Sequence, residues 1–563
     1  MQRNLTTRSR TTFLLALVCV AASSGVVIAQ GPPPPPPPLG PPPPPPPGNP
    51  QTPEKILLGK ALFWDEQLSS TKVTACATCH IPEQGGADPR SVPQTTMTAG
   101  PNGIFGDADD VRGSLGVPKS QANGLYLSDA IYGLHTQVTG RKTQSVVNAA
   151  YNPVQFWDGR ALGAFTDPVT NTVVFPNGAS LESQALGPVV SGVEMAHDGR
   201  TIPDLVARVV ASRPLALSPQ LSADLVPFVA NQTYDDLFTL AFGSPGITGV
   251  RIAEAIAAYE RTQFSNQAPW DSFLGGNAAA LTPQETQGFQ IFGNPANGCA
   301  VCHAGSLLTN HSFQYIGVRP QGEDVGRMGV TGNLGDQGKM KVPSLRNVEL
   351  RGSYFHNGRF TTLEEVVAFY NRGGDFNGPN KNPLIHGLGL APGQQAALVA
   401  FLRRPLTDDR VRNAQPPFDH PALYSSSNRV PAQFGNATAG TGGFDPEMIA
   451  IEPALVGNPS FVFGVQHGLG DAQAVLAIDT DSTGGTPFGG ATRYVALSPN
   501  LVIVRAGHMN GVGAGAGWRS VTLSIPNDAG LIGQTRFAQW FVLDLGAGHR
   551  FAASKAVQYT FFP

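Results

Sequence analysis

The chain has 563 residues, enough for three or four domains, and 41% of them are hydrophobic, so sizeable cores can form. Charged residues make up only 14% and the net charge is −3. No basic run occurs, which excludes the electrostatic footprint of a nucleic-acid binder. Glycine and proline number 66 and 50, favouring loops, turns and β-structure over long surface helices.

The first 29 residues read as an export signal: Arg3, Arg8 and Arg10, then an apolar stretch from Phe13 to Ala22, then Val27-Ile28-Ala29 before a cleavage point. The apolar part is short of the roughly 20 residues that a membrane span needs. Residues 30–51 form a proline-rich linker, with unbroken runs from Pro32 to Pro38 and Pro41 to Pro47. Such runs adopt extended polyproline II and act as stiff spacers.

Thr52-Pro53 starts a helix, with proline in the first helical position and Leu58 and Leu62 on one face. Cys76-Ala77-Thr78-Cys79-His80 follows. Ile252, Ile256 and Tyr259 mark a closing helix. The plan then repeats. Thr282-Pro283-Gln284-Glu285 reads as a capping box, Cys299-Ala300-Val301-Cys302-His303 follows, and Leu398, Val399 and Leu402 mark a second closing helix. C-x-x-C-H is the c-type haem attachment motif: two thiols add to the porphyrin vinyl groups and the histidine ligates the iron from below. The two copies use every cysteine except Cys19, which lies in the signal. A zinc site built from both cysteine pairs is the weaker alternative, because export disfavours free thiolates. The 223-residue offset between the motifs points to a duplicated haem unit carrying large insertions.

Beyond Pro421 the pattern changes. Val521, Leu523 and Ile525 alternate with Thr522 and Ser524, and Val557, Tyr559 and Phe561 with Gln558 and Thr560. Period-two runs broken by Gly, Pro and Asn predict a β-sandwich. His467, His508 and His549 there read as structural histidines, and the region as an adhesion or docking module.

Several stretches, in order around both motifs, carry a family resemblance: Leu58-Gly59-Lys60-Ala61-Leu62-Phe63, Phe156-Trp157-Asp158-Gly159-Arg160-Ala161, Gln184-Ala185-Leu186-Gly187-Pro188, Val193-Glu194-Met195, Lys341-Val342-Pro343-Ser344-Leu345-Arg346-Asn347, Tyr354-Phe355-His356-Asn357-Gly358 and Thr362-Leu363-Glu364-Glu365. From about Thr52 to Leu423 the chain resembles the bacterial di-haem cytochrome c peroxidases and their MauG-type relatives. The resemblance implies a peroxide site at the N-terminal haem and an electron-entry site at the C-terminal haem. It implies Trp157 as the relay between them, Glu194 as the distal acid–base and Gln184 as its orienting partner. A carboxylate beside the open iron face suits peroxide heterolysis, which moves a proton from the near oxygen to the leaving one.

The chain also departs from the family. An insertion between Arg160 and Leu181 is expected to form a hairpin near the peroxide pocket. Peroxidases of the family bind a removable distal histidine at the N-terminal haem. His135 stands in about that place, with a one-residue slip, and a plain loop histidine is the alternative. The family holds calcium between the haem units, but the asparagine used there is replaced near Lys142-Thr143, which counts against it. Where peroxidases place a methionine as sixth ligand of the C-terminal haem, this chain has Tyr370, as MauG types do. Thr362 caps a helix with Glu365, and Leu363, Val366, Val367 and Tyr370 share one face of it, so Tyr370 points inward either as iron ligand or as a core tyrosine with a bonded hydroxyl.

The expectation is therefore a mainly α protein: two cytochrome c-like haem domains in tandem (52–270 and 271–425) followed by a C-terminal all-β, sandwich-like domain (429–563). Cys76 and Cys79 with His80, and Cys299 and Cys302 with His303, would hold two covalent haems c. The expected activity is reduction of hydrogen peroxide with electrons from a cytochrome c, a cupredoxin or a small reductant, in the periplasm or at the cell surface. The alternatives are a MauG-type oxidase that modifies a protein side chain and a non-catalytic electron-transfer cytochrome. The sequence leaves the oligomeric state open.

Overall fold

The computed structural model describes residues 35–91 and 97–563; the export signal and Cys19 lie outside them. The first half contributes helices α1 (Pro53–Trp64), α2 (Cys76–Cys79), α3 (Ser180–Ala185) and α4 (Gly249–Glu260), and the second α5 (Pro283–Gly293), α6 (Cys299–Cys302), α7 (Leu363–Asn371) and α8 (Pro392–Leu402). The predicted starts are present. Thr52 Oγ1 accepts from the Lys55 N–H, and Thr282 and Thr362 form capping boxes with Glu285 and Glu365.

The two halves repeat each other in detail. α1 crosses α4 at Gly59, where a Cβ would lie 1.9 Å from the Ala255 carbonyl oxygen. α5 crosses α8 at Gly288, where a Cβ would lie 2.0 Å from that of Ala397. Only glycine permits either contact. One turn beyond each crossing a phenylalanine meets the motif histidine: Phe63 and His80 have ring centroids 6.3 Å apart, Phe292 and His303 6.4 Å. A second repeated element is a tight loop at an offset of 199 residues. Phe156 and Phe355 both adopt positive φ, at 69° and 66°, and bridges Gln155–Ala161 and Tyr354–Phe360 close the loops.

The core of the first half holds Leu58, Leu62, Ile252, Ile256 and Tyr259, and also Val411, Phe418 and Leu423. The end of the stretch read as the second haem unit thus packs into the core of the first. In the first half, β1 (Leu115–Pro118) and β2 (Thr136–Val138) form a hairpin, as do β3 (Phe165–Thr166) and β4 (Val173–Phe175) in the insertion. Phe165 and Phe175 of the latter stack inside the first core.

The proline segment is not a free spacer. Pro36, Leu39, Pro42 and Pro45 are half-buried at the three-residue period of polyproline II. The Tyr151 hydroxyl donates to the Gly40 carbonyl, and buried Asn49 donates to Glu182 Oε1 at 2.8 Å. Residues 36–49 therefore lie along the first half.

The C-terminal region consists of β5 (Ala432–Phe434), β6 (Glu447–Ile449), β7 (Phe461–Gly468), β8 (Gln473–Asp479), β9 (Val502–His508), β10 (Gly517–Leu523), β11 (Thr535–Leu543) and β12 (Phe551–Thr560), with one further hairpin. Antiparallel sheets β6-β7-β10 and β9-β8-β11-β12-β5 face each other. Their inner residues, among them Phe461, Phe463, Leu476, Trp540, Val557 and Tyr559, make one core. This β-domain also grips the β1–β2 hairpin. Tyr126 and Leu134 are buried against Ile449 and Val462, and the Leu134 N–H donates to Gln466 Oε1 at 2.8 Å.

Candidate functional site

Each C-x-x-C-H motif opens onto a cavity. The first is lined by Cys76, Cys79 and His80, by Leu115 and Gly116 of β1, by Gln184 of α3, by Glu194, and by Ile256 and Glu260 of α4. The second is lined by Cys299, Cys302, His303, Lys341, Arg351, His356 and Tyr370. Lys142 to Ser145 and Trp157 line both cavities and form the wall between them. The wall is knitted by hydrogen bonds: Trp157 Nε1 donates to the Lys142 carbonyl at 2.7 Å, and the Lys142 N–H donates to the His356 carbonyl at 2.7 Å. Trp157 and His356, which occupy matching places in the repeated loops, meet edge to face at 6.3 Å.

Glu194 and Gln184 are brought to the same cavity as His80. Burial raises the Glu194 carboxyl above the usual range, against opposing effects of Ser191 and the Arg160 guanidinium. The backbone behind Glu194 is fixed by the hairpin. The Val117 N–H donates to the Val193 carbonyl at 3.1 Å, Gln137 Nε2 donates to the Gly192 carbonyl at 2.7 Å, and a Cβ on Gly116 would sit 1.7 Å from Val193 O.

His135 is not brought to the cavity. Its half-exposed ring lies with Nε2 3.1 Å from Glu447 Oε2 of the β-domain. The hairpin tip is turned outward by its contacts with the β-domain. His467 joins the same carboxylate at 3.6 Å. Tyr370 lines the second cavity beside Cys299 and Cys302; burial and these sulfurs push its phenol up. Among the described residues nothing hydrogen-bonds the Tyr370 hydroxyl.

The donor sets fit a c-type haem in each cavity. Among the described residues no disulfide engages Cys76, Cys79, Cys299 or Cys302, so all four sulfurs are available to porphyrin vinyl groups; burial pushes the Cys76 thiol up to about 12 and that of Cys299 to about 11. His80 Nδ1 lies 3.2 Å from the Gly86 carbonyl and His303 Nδ1 3.0 Å from that of Leu308. A carbonyl only accepts, so Nδ1 carries the proton in each ring and Nε2 is left for a metal. Burial lowers both imidazoles, His303 to about 4, favouring the neutral ligating form. Among the described residues no metal-holding cluster includes a cysteine, so the alternative zinc site is not formed. Arg351 Nε is buried in the second cavity without a partner, a donor suited to a carboxylate such as a haem propionate. Arg351 and Glu260 escaped the sequence reading. Arg351 sits in no motif; Glu260 gave one signal, a charged residue closing an otherwise apolar helix face.

The family model for di-haem cytochrome c peroxidases matches residues 53–279. A cytochrome c551 peroxidase of Nitrosomonas europaea is 30% identical over 386 residues, covering 68% of this chain and 87% of the relative. The chain belongs to the di-haem cytochrome c peroxidase and MauG family. The methylamine utilization protein MauG of Methylophilus methylotrophus is equally similar, at 30% over 326 residues, 57% of this chain and 73% of MauG. A solved MauG-like protein associated with microbial copper homeostasis is 26% identical, covers 68% of this chain and 96% of its own, and superposes with a TM-score of 0.47. Membership of the family implies an oxidoreductase with two c-type haems. Among the described residues no helix is long and apolar enough to cross a membrane.

Proposed function

We propose that the chain is a di-haem c-type peroxidase that reduces hydrogen peroxide to water at the N-terminal cavity, with electrons supplied by an external donor through the C-terminal half. The observation that carries this reading is the convergence of Glu194 and Gln184 on the cavity of His80. Held by Cys76, Cys79 and His80, haem supplies the redox-active iron at which peroxide is reduced. Glu194 takes the proton from the near oxygen of peroxide and returns it to the leaving oxygen, which departs as water. Its raised affinity for protons suits it to hold that proton between the two steps. Gln184 orients peroxide by hydrogen bonding. Trp157, in contact with both cavities, carries electrons across the wall from a cytochrome c or cupredoxin docked at the C-terminal half.

A second reading, a MauG-type oxidase that uses peroxide to modify a protein side chain, is favoured by Tyr370. The electron-carrier alternative leaves the pairing of Glu194 with Gln184 in one cavity without a role.

Glu194→Gln tests the proposal. It keeps size and polarity but cannot shuttle a proton, and loss of acid–base help costs on the order of 10²- to 10⁴-fold in rate. Both haems should remain attached and reducible. Peroxide turnover should fall by at least about tenfold, a lower bound that allows for water as a substitute proton carrier. Wild-type turnover in this variant would remove Glu194 from the chemistry and restore the electron-carrier reading.

A further inference from the structure

We propose that Trp64, hydrogen-bonded to Tyr259, is an oxidisable relay through which a small one-electron reductant at the protein surface feeds the N-terminal cavity without passing through the C-terminal half. The inference rests on the peroxidase reading above and adds a second electron entry to it.

A continuous line of rings leads outward from His80. Phe63 lies 6.3 Å from His80, and Tyr259 lies edge-on to Phe63 at 5.3 Å. Trp64 Nε1 donates to the Tyr259 hydroxyl at 3.1 Å. Trp64 in turn stacks on His420 at 4.0 Å with the planes 5° apart. His420 Nε2 lies 3.0 Å from Glu83 Oε1. Trp64 and Tyr259 are each 2% exposed, while the His420 and Glu83 side chains are 18% and 32% exposed. The line therefore runs from the ligating histidine to solvent with a direct contact at every step.

The repeat supplies the control. In the second half Phe292 lies 6.4 Å from His303, and Phe401 lies 5.3 Å from Phe292. Phe401 occupies the place of Tyr259, four residues beyond the close helix crossing, and Gly293 occupies the place of Trp64. The fold therefore requires neither a phenol nor an indole there; phenylalanine and glycine fill the same positions. Phenol and indole are the side chains that release a single electron under conditions where a phenyl ring does not. The first half has both, hydrogen-bonded to each other, and only that half lines its cavity with Glu194 and Gln184.

The hydrogen bonds assign the hole to Trp64. Oxidising a phenol demands an acceptor for its proton, and among the described residues none takes the Tyr259 hydroxyl proton. The indole keeps its N–H on the Tyr259 oxygen and loses only an electron, leaving a positive charge. The carboxylates of Glu83 and Asp419 beside His420 offset that charge; Asp419 is itself 3.0 Å from Lys60. One electron leaves Trp64 for the N-terminal cavity, and the reductant returns one at the His420 edge. Two such transfers, with two protons, convert one peroxide to two waters. Glu83 bonds His420, and Asp224 and Asp419 share Lys60 at 2.8 and 3.0 Å, so these carboxylates outnumber the lysine and neutral or cationic aromatic amines are favoured over anionic donors.

The test uses the haem-loaded enzyme, mixed with peroxide without donor and then with tetramethyl-p-phenylenediamine. Wild type should give an organic radical by electron paramagnetic resonance and oxidation at Trp64 by peptide mass spectrometry. Trp64→Phe should lose both and lose amine oxidation, while turnover driven by a donor protein persists. Tyr259→Phe copies Phe401, so it keeps the packing, and should lower the radical yield. If Trp64→Phe does not fold, the wild-type peptide map and Tyr259→Phe decide. Peroxide turnover without oxidation at Trp64, or wild-type radical and amine rates in Tyr259→Phe and Trp64→Phe, would overturn the relay alone. A wild-type enzyme inert to peroxide would overturn both the relay and the peroxidase reading.

Discussion

The Tyr126 hydroxyl donates to Glu452 Oε1 at 3.0 Å, 326 residues away in sequence, and joins the β-domain to the tip of the hairpin whose base backs Glu194. Both groups are buried. The bond is seconded by Ser520 Oγ donating to the Tyr126 carbonyl at 3.1 Å. Removing one partner of a buried hydrogen bond to an acidic group costs about 1–3 kcal/mol. Tyr126→Phe should therefore lower the midpoint of thermal unfolding and speed amide hydrogen exchange across residues 119–135. Unchanged exchange there would mean that the β-domain does not hold the hairpin through this bond.

The same contact predicts a pH dependence. Burial raises Glu452 from 4.5 to about 7, against the opposing effects of Lys72 and the Tyr126 hydrogen bond. The folded state thus holds the proton more tightly than the unfolded one. The associated stability is complete below pH 4.5, declines as pH rises towards 7 and is absent above. At about 1.4 kcal/mol per unit, the contribution is on the order of 3 kcal/mol. Lys72, lowered to about 8, titrates above this window. Glu66 and Glu254 shift in the same window, so the measurement is the difference between wild type and Glu452→Gln. The variant should lose stability less steeply between pH 4.5 and 7; parallel curves would show that Glu452 is ionised throughout.

Tyr370 distinguishes the two catalytic readings. Among the described residues no protein group bonds its hydroxyl, so unless the phenol ligates iron Tyr370→Phe should change stability by less than about 1 kcal/mol. If the phenol ligates iron, the variant should alter the absorption and electron paramagnetic resonance of the C-terminal haem and leave the N-terminal haem unchanged. Tyr370→Met should raise the potential of the same haem, because thioether sulfur favours ferrous iron where phenolate favours ferric. Spectra identical to wild type in both variants would make Tyr370 a packing residue.

What was legible in the sequence was local. The helix starts at Thr52, Thr282 and Thr362 depend on hydrogen bonds spanning three residues, and the C-x-x-C-H spacing on a single turn. The alternation at Val557, Tyr559 and Phe561 reports a face buried within one sheet. What stayed hidden depends on distant segments. His135 stands in a suitable place along the chain, but its direction is set by Glu447, 312 residues away. The proline runs show their conformation but not that they lie on the first half, which Tyr151 and Asn49 arrange. Phe418 looks like part of the second half and packs in the first. Glu194 and Gln184 carry no local signal of their own, and only the family resemblance singled them out.

Trp157 carries the claim that the two cavities cooperate. It belongs to the wall between them, anchored by its N–H on the Lys142 carbonyl, while its own carbonyl accepts from the Lys341 N–H at 2.7 Å. Because the backbone contact does not involve the side chain, Trp157→Phe keeps the loop in place. It removes the indole and leaves the Lys142 carbonyl with one partner fewer, at a cost of about 1–3 kcal/mol. The half-cavities themselves are untouched: neither cysteine pair, neither histidine, nor Glu194 changes. The variant should therefore bind two haems and accept electrons at the C-terminal half at the wild-type rate. Electron passage to the N-terminal half should slow by at least about tenfold, an added barrier of about 1.4 kcal/mol or more. Stopped-flow spectroscopy of the half-reduced protein, following each haem at its own band after peroxide is added, measures that step directly. If re-oxidation of the C-terminal haem is as fast as in wild type, electrons cross the wall by the Lys142–Ser145 backbone instead, and Trp157 serves only to pack it.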